Sequence, residues 1–378
     1  MSNSAGRQPI NLPLSGIRVI DATSNIAGPF SGAVLADLGA DVIKIETPAG
    51  DPARFMSPVD GDRSAYFHVV NRNKSAEQLD LKSEADRNRL ELLLDDADVL
   101  LTNFLPLRLE ALHLTANEVR SKRPRLIFGN LSSYGSAGPD AATPGYDATV
   151  QARTGIMRIT GEADGDPVRA GVSVLDVGAG MWLAMGVLAA LVQRESTGIG
   201  CVVETSLFET GATWVSYHLS AYELTGAPSS RSGSGHPAFS PYGLFATKSG
   251  MICIGVGNDS IFAKLCTLLG RKDLITDPRF LNNVERVTNA DILKVEIESV
   301  LAQESAGFWA EILGKGGVPA DRAALPEDLL TDEQAIAMGV LLPYPDETTS
   351  ISALPGLPLR FDGSRPPLRM PAPRLGLN

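Results

Sequence analysis

Apolar residues fall along this chain in short blocks whose period alternates. Ile17 to Ala22 and Asp41 to Glu46 read as buried strands, and Ala27 to Leu38, opened by Gly28-Pro29, reads as a helix. Two apolar strands separated by one helix and by Gly39 predict a βαβ unit, with a parallel sheet and a right-handed crossover. The alternation then recurs: a helix over about Ser83 to Ala97, a strand over Asp98 to Phe104, a helix behind the capping box Thr115-Ala-Asn-Glu118, and a strand over Arg125 to Leu131. Cys201 to Leu207 reads as a further strand and Phe208 to Thr225 as a helix. The pattern is that of an α/β fold.

One stretch departs from this rhythm. Between Val172 and Leu191 a single carboxylate, Asp176, interrupts a run of small and apolar residues. Val172 to Leu175 reads as extended and Ala179 to Leu191 as a helix buried on all sides. Asp176 then stands at a helix start inside the protein. It can act there as an N-cap or, held ionised by helix N–H groups, as a nucleophile, with Gly178 and Gly180 leaving room for a substrate to approach the backbone.

Composition changes at Gly226. Pro228 to Gly235 reads as a flexible linker or loop, Leu244 to Ala246 and Met251 to Val256 flank Lys248-Ser249-Gly250 as a hairpin, and helices follow near Ser260 to Leu269, Ala290 to Gln303 and Gly307 to Leu313. The expected organisation is a large domain over 1–225 completed by a proline-rich tail over 340–378, a smaller α+β domain over 226–317, and a linker over 318–339.

Thirty-three basic against 44 acidic side chains, a net charge of −11, argue against nucleic acid or an anionic membrane as partner. The longest apolar run, Val177 to Val192, is shorter than the roughly 20 residues of a membrane span, and the polar start of the chain lacks the apolar core of a secretory signal. A cytoplasmic location is expected. Cys201, Cys253 and Cys266 lie far apart in apolar surroundings, as buried free thiols do. His68, His113, His218 and His236 show no metal-ligand spacing, so no metal is expected, and no serine-hydrolase elbow or phosphate loop occurs. Two stretches remain as ligand candidates: Asn71-Arg72-Asn73-Lys74-Ser75, where Arg and Lys suit phosphate oxygens or simply form a solvated turn, and the small-residue run from Ser132 to Pro139, an open backbone or an ordinary turn.

In order along the chain, Leu14-Ser-Gly-Ile-Arg-Val-Ile-Asp21, Ala27-Gly-Pro29, Ala36-Asp-Leu-Gly-Ala-Asp-Val-Ile-Lys-Ile-Glu46, Gly50-Asp51, Asn71-Arg-Asn-Lys74, Leu79-Asp-Leu81, Ala97-Asp-Val99, Asn103-Phe104, Gly145-Tyr-Asp147, the Asp176 segment, His236-Pro237, Pro241-Tyr242 and Gly317-Val-Pro319 resemble the family III CoA-transferases, to which the α-methylacyl-CoA racemases are related. The resemblance implies a large Rossmann-like domain with a smaller α+β domain, in a homodimer of interlocked rings. It implies Asp176 as nucleophile, acyl-CoA and a carboxylic acid as substrates, and no tightly bound cofactor. It places CoA near Ile26 and Ala27, near Asn71, Arg72, Asn73 and Lys74, near Asn103, Phe104 and Leu105, and along Leu131, Ser132, Ser133 and Tyr134, with Arg72 and Lys74 on its phosphates. Tyr146 and the loop Gly233, Ser234, Gly235 and His236 are the implied substrate-side residues. Similar enzymes carry an arginine where this chain has Ala111, with Arg108 close by, and a more glycine-rich run at Ser232 to His236.

Two other functions compete with CoA transfer. The racemases carry His-Asp where this chain has Tyr146-Asp147, and a phenol, ordinarily titrating near about 10, is a poor replacement for a histidine base. A non-catalytic CoA-binding protein would have no need of Asp176. Arg158, Arg169 and Arg231 are candidates for the second carboxylate of a dicarboxylic substrate, or plain surface residues.

Overall fold

The computed structural model describes residues 12–376, which divide into two compact units. The first holds the described residues up to Ile156, Ala170–Ser220 and those from Glu333 onward; the second holds Met157–Arg169 and Ala221–Asp332.

Six parallel strands form the sheet of the first unit: β1 (Arg18–Asp21), β2 (Asp41–Glu46), β3 (Ser75–Gln78), β4 (Val99–Thr102), β5 (Ile127–Ser132) and β6 (Val202–Ser206). Their spatial order is β3-β2-β1-β4-β5-β6. The chain therefore winds outward from β1 in one direction and, after β3, returns to start again at β4. That reversal leaves a crevice outside the carboxyl ends of β1 and β4, the usual ligand site of such sheets. Helices α1 (Ala27–Asp37), α2 (Ala65–Asn71), α3 (Glu84–Asp95), α4 (Pro106–Ala111), α5 (Ala116–Lys122) and α6 (Asp147–Arg153) fill the connections. The capping box before α5 forms in both directions, Glu118 N donating to Thr115 Oγ1 and Thr115 N to Glu118 Oε2.

α7 (Val174–Thr197) is the longest helix among the described residues and packs on α1. By length and composition it could cross a membrane, but Leu175, Ala179, Leu183, Val187 and Ala190 are buried within the unit. It is not buried all round, as the run of apolar residues suggests: Val177, Met181, Met185 and Val192 are exposed along its opposite face. α8 (Leu207–Trp214) and α9 (Ser216–Thr225) follow β6, Val215 separating what the sequence reads as one helix.

The last residues of the first unit are tied down by polar groups from its beginning. Asn73, in the left-handed region at φ 62°, accepts from Arg369 N and Met370 N through Oδ1 at 2.6 and 2.9 Å. Arg63 donates to Ala372 O and Arg54 to Pro373 O, both at 3.1 Å. Tyr344 Oη accepts from Ala372 N and shares a hydrogen bond with His68 Nδ1, each at 2.8 Å.

In the second unit β7 (Tyr242–Ala246), β8 (Met251–Gly255) and β9 (Ala320–Arg322) form an antiparallel sheet in the order β9-β8-β7. α10 (Asp259–Leu268), α11 (Ala290–Leu301) and α12 (Ala306–Lys315) bury Phe262, Leu265, Leu293, Ile297, Trp309 and Leu313 in one core with Ile252 and Ile254. β9 falls in a stretch the sequence reads as linker; backbone pairing to β8 recruits it. Residues 157–169, read as part of the large domain, also belong to this unit. Cys253 is exposed, because alternate residues of β8 face outward, whereas Cys266 is buried and its thiol pKa is pushed up to about 12 by desolvation.

Candidate active site

The site is built around the start of α7. The helix begins at Val174, so Asp176 lies within its first turn rather than at the cap. The preceding Ser173 supplies no side-chain cap. Asp147, buried at the start of α6, does so from elsewhere in the chain: its Oδ2 accepts from Leu175 N at 2.8 Å and Asp176 N at 3.4 Å. Its other oxygen accepts from Gln151 Nε2 at 2.6 Å. Asp176, half-buried in the same first turn, lines the cavity at the positive end of the helix.

Gly178 and Gly180 serve packing, not substrate access. A Cβ on Gly180 would stand 2.6 Å from Ala27 O and 3.0 Å from the Phe30 ring, and one on Gly178 would stand 2.8 Å from the Trp214 ring. The two glycines let α7 lie against α1 and α8, which brings Asp176 beside the start of α1.

A cavity of about 450 Å³ opens there, at the carboxyl ends of β1, β4 and β5. Ile26 and Ala27, Asn103, Phe104 and Leu105, Leu131, Ser132 and Ser133, Tyr146 and Asp176 all line it. Ile26 precedes α1 and offers no side-chain acceptor to that helix's first N–H groups. Asn103 fixes the facing loop, accepting from Ser24 N at 3.1 Å and donating to Ser24 O at 2.9 Å. Ser133 Oγ donates to Gly145 O at 3.0 Å, closing the wall that carries Tyr146. The charged groups lining this cavity are all acids: Asp176, Glu110 and Glu204. Tyr134 does not line it, its ring lying against Phe208 with 6.2 Å between centroids.

Asn71, Arg72, Asn73 and Lys74 are likewise elsewhere. Lys74 Nζ, wholly buried, donates to Asp21 Oδ2 and Pro29 O at 2.7 Å and to Asn71 Oδ1 at 2.9 Å. Desolvation holds its pKa down to about 8 against the pull of Asp21. Arg72 pairs with Asp37 at 2.7 Å, and Asn73 Nδ2 donates to the other oxygen of Asp37 at 2.7 Å. These side chains have internal partners, and Asn73 also holds the tail through Arg369 N and Met370 N.

A second cavity, of about 800 Å³, shares Ser24 and Phe104 with the first and carries the cations the first lacks: Lys82, Arg87 and Arg108. The Arg108 guanidinium lies over the Phe104 ring, 4.2 Å from its centroid, and Ala111 lines the same cavity one turn on. Arg87 Nη1 donates to Leu81 O and Lys82 O. Lys82 and Arg87 were not singled out by the sequence. Their signal is the step from Leu79-Asp80-Leu81 into α3, and for Arg108 the four-residue spacing from Phe104.

Gly233, Ser234, Gly235 and His236 belong to the second unit, where they form a turn against residues 161–165. Gly233 is left-handed at φ 57°, and its N–H donates to Gly161 O at 3.0 Å. Ser234 Oγ accepts from Leu244 N at 2.8 Å, and the His236 ring lies between those of Phe239 and Tyr242. Arg231 spends its guanidinium on the carbonyls of Glu162, Ala163 and Gly165.

Comparison with known proteins bears on this arrangement. The sequence pattern of CoA-transferase family III matches residues 14–378. The chain is 37% identical over 373 residues to an acetyl-CoA:oxalate CoA-transferase of Acetobacter aceti, covering 96% of this chain and 93% of that protein. It is 34% identical over 390 residues to a succinate–glutarate CoA-transferase of Agrobacterium fabrum, covering 100% and 95%. Of solved structures, a CAIB/BAIF family protein from Brucella suis matches with a TM-score of 0.87 at 33% identity over 97% of both chains. Rv3272 of Mycobacterium tuberculosis matches with a TM-score of 0.85 at 32% identity over 96% of each. With nearly its whole length matched and relatives of this similarity, the chain belongs to CoA-transferase family III and is a CoA-transferase.

Proposed function

We propose that the enzyme moves CoA from an acyl-CoA thioester to a free carboxylic acid, with Asp176 as the covalent carrier. The observation that carries this reading is the half-buried Asp176, in the first turn of α7 and lining a cavity at the sheet's switch point. In the first step a carboxylate oxygen of Asp176 attacks the thioester carbon, the C–S bond breaks, and a mixed anhydride and CoA thiolate result. The thiolate attacks the aspartyl carbon and releases the donor acid, leaving an aspartyl-CoA thioester. The acceptor carboxylate attacks that thioester, giving a second anhydride and thiolate. Attack of thiolate on the acceptor carbonyl forms the new acyl-CoA and restores Asp176. Each step passes through an oxyanion, which backbone N–H groups at the start of α1, beside Ile26 and Ala27, are suited to stabilise.

CoA is long enough to use both cavities. Its thioester end belongs beside Asp176, its pantetheine arm along the shared wall at Ser24 and Phe104, and its phosphates with Lys82, Arg87 and Arg108. The relatives named for oxalate, succinate and glutarate support small carboxylic acids as donor and acceptor. A homodimer accounts for the exposed apolar face of Val177, Met181, Met185 and Val192 on α7, with Trp214 and Leu219 exposed on the helices that follow.

The test is peptide mass spectrometry after mixing the protein with acetyl-CoA or succinyl-CoA and quenching with hydroxylamine, which converts an activated carboxylate to a hydroxamate. A hydroxamate on the peptide carrying Asp176, dependent on acyl-CoA and absent from Asp176→Ala, is expected. Transfer activity without that adduct, or undiminished in Asp176→Ala, overturns the assignment.

A further inference from the structure

Among the groups the mechanism leaves unused, one buried ion pair touches the walls of both cavities. Lys44, on β2, and Asp51 are 0 and 3% exposed, with Nζ and Oδ2 2.7 Å apart. Lys44 Nζ also donates to Thr23 O at 3.0 Å. The second oxygen of Asp51, Oδ1, accepts from Asn25 N at 3.0 Å and from Ala53 N at 2.8 Å, and Asp51 N donates to Glu46 Oε2 at 2.9 Å. One carboxylate thus joins the loop after β1 to the loop after β2. Ser24, Asn25 and Met56 from these loops line the first cavity, and Gly50, Asp51 and Pro52 line the second. Asn25 sits in the left-handed region at φ 66°, which turns its N–H toward Asp51.

Stability gives little reason for such a pair, since apolar residues of similar volume commonly serve as well in a buried position. Its distinctive effect is geometric. We infer that Asp51, seated by Lys44, is a positioning residue that holds the two loops walling the acyl-CoA site in register; the consequence for catalysis rests on the CoA-transferase reading above. Without the anchor, the segment from Thr23 to Asn25 keeps its hydrogen bonds to Asp21 and Asn103 and the packing of Thr23 on Gly28, but Asn25 loses its tie to the loop after β2, and acyl-CoA must order it on binding. The loss therefore falls on KM more than on kcat.

Removing one partner alone leaves a buried unpaired charge and endangers folding, so the test compares two charge-neutral double variants. Lys44→Gln with Asp51→Asn keeps an acceptor for Asn25 N, while Lys44→Met with Asp51→Leu removes it. Hydrogen exchange is followed on the peptide spanning residues 22–30, alongside steady-state transfer from acetyl-CoA and succinyl-CoA. Expected for Met/Leu are exchange at least about tenfold faster in that peptide alone and an acyl-CoA KM raised about tenfold with kcat within about threefold. Gln/Asn is expected to stay within about threefold of wild type in both. Unchanged exchange in Met/Leu overturns the anchor, and faster exchange with unchanged KM overturns its role at the site. Wild-type protein that transfers no CoA sinks the transferase reading instead, while the exchange arm still decides the anchor.

Discussion

Replacing Gly180 by alanine tests whether the approach of α7 to α1 sets the active site. Its Cβ would meet Ala27 O at 2.6 Å, whereas carbon–oxygen contacts settle at about 3.3–3.6 Å, so one helix must retreat by roughly 0.7 Å or more. The obstacle is backbone, which cannot swing aside as a side-chain tip can. Alanine gains about 1 kcal/mol of helix propensity, and overpacking a close-fitted contact costs about 1–3 kcal/mol. The net expectation is destabilisation by up to about 2 kcal/mol, or up to roughly 8 °C in melting temperature. The larger effect falls on turnover, because the retreat separates Asp176 from the start of α1, and errors of about 1 Å at reacting groups cost up to about 100-fold. Gly314→Ala on α12 is the control: its Cβ meets nothing within 4 Å, so propensity acts alone and stability should rise by up to about 1 kcal/mol. Thermal unfolding and steady-state transfer measure both. A Gly180→Ala enzyme as stable as wild type and within twofold of its kcat would refute the argument.

Three further outcomes are expected. Burial, reinforced by Arg63, holds the His68 pKa down to about 4 despite Asp346, Asp60 and Asp62 nearby; because the unfolded ring titrates near 6.5, the unfolded chain alone takes up the proton between these values. Stability is therefore intact above about pH 6.5 and falls by at most roughly 3 kcal/mol as pH drops to about 4, and His68→Gln should flatten that slope in denaturant titrations at stepped pH. Arg108→Ala with Lys82→Ala should raise the acyl-CoA KM about tenfold or more while leaving the KM of the free acid unchanged; equal effects on both would remove the phosphates from the second cavity. Asp147→Ala should cost about 0.5–2 kcal/mol of stability as a lost helix cap and lower kcat more than KM, and a stability loss with unchanged kcat would limit Asp147 to a structural role.

The alternation of strands and helices was legible because each element carries its own period, and α1 even its own start in Gly28-Pro29. The beginning of α7 was not. Val172 to Leu175 favours an extended reading by composition, and the group that lets the helix start at Val174 is Asp147, supplied across the fold. The partners of the cations were not legible for the same reason. Arg72 and Lys74 look available until folding brings Asp37 and Asp21 beside them, whereas Lys82 and Arg87, on the connection between β3 and β4, meet Arg108, on the connection between β4 and β5, only in the folded unit. Local propensity records periods; it does not record partners set by topology.

The docking of residues 367–375 on groups near the start of the first unit has a consequence for synthesis. Arg54, Arg63 and Asn73 emerge from the ribosome early, yet the backbone groups that satisfy them belong to Pro373, Ala372, Arg369 and Met370. All six strands of the sheet are out once Ser206 has been made. At ordinary elongation rates the tail follows roughly ten to thirty seconds later, after the whole of the second unit. During that interval the nascent sheet carries an open seam of buried-type polar groups, so a chaperone that holds this seam, or a pause that prolongs its exposure, would govern the yield of native enzyme.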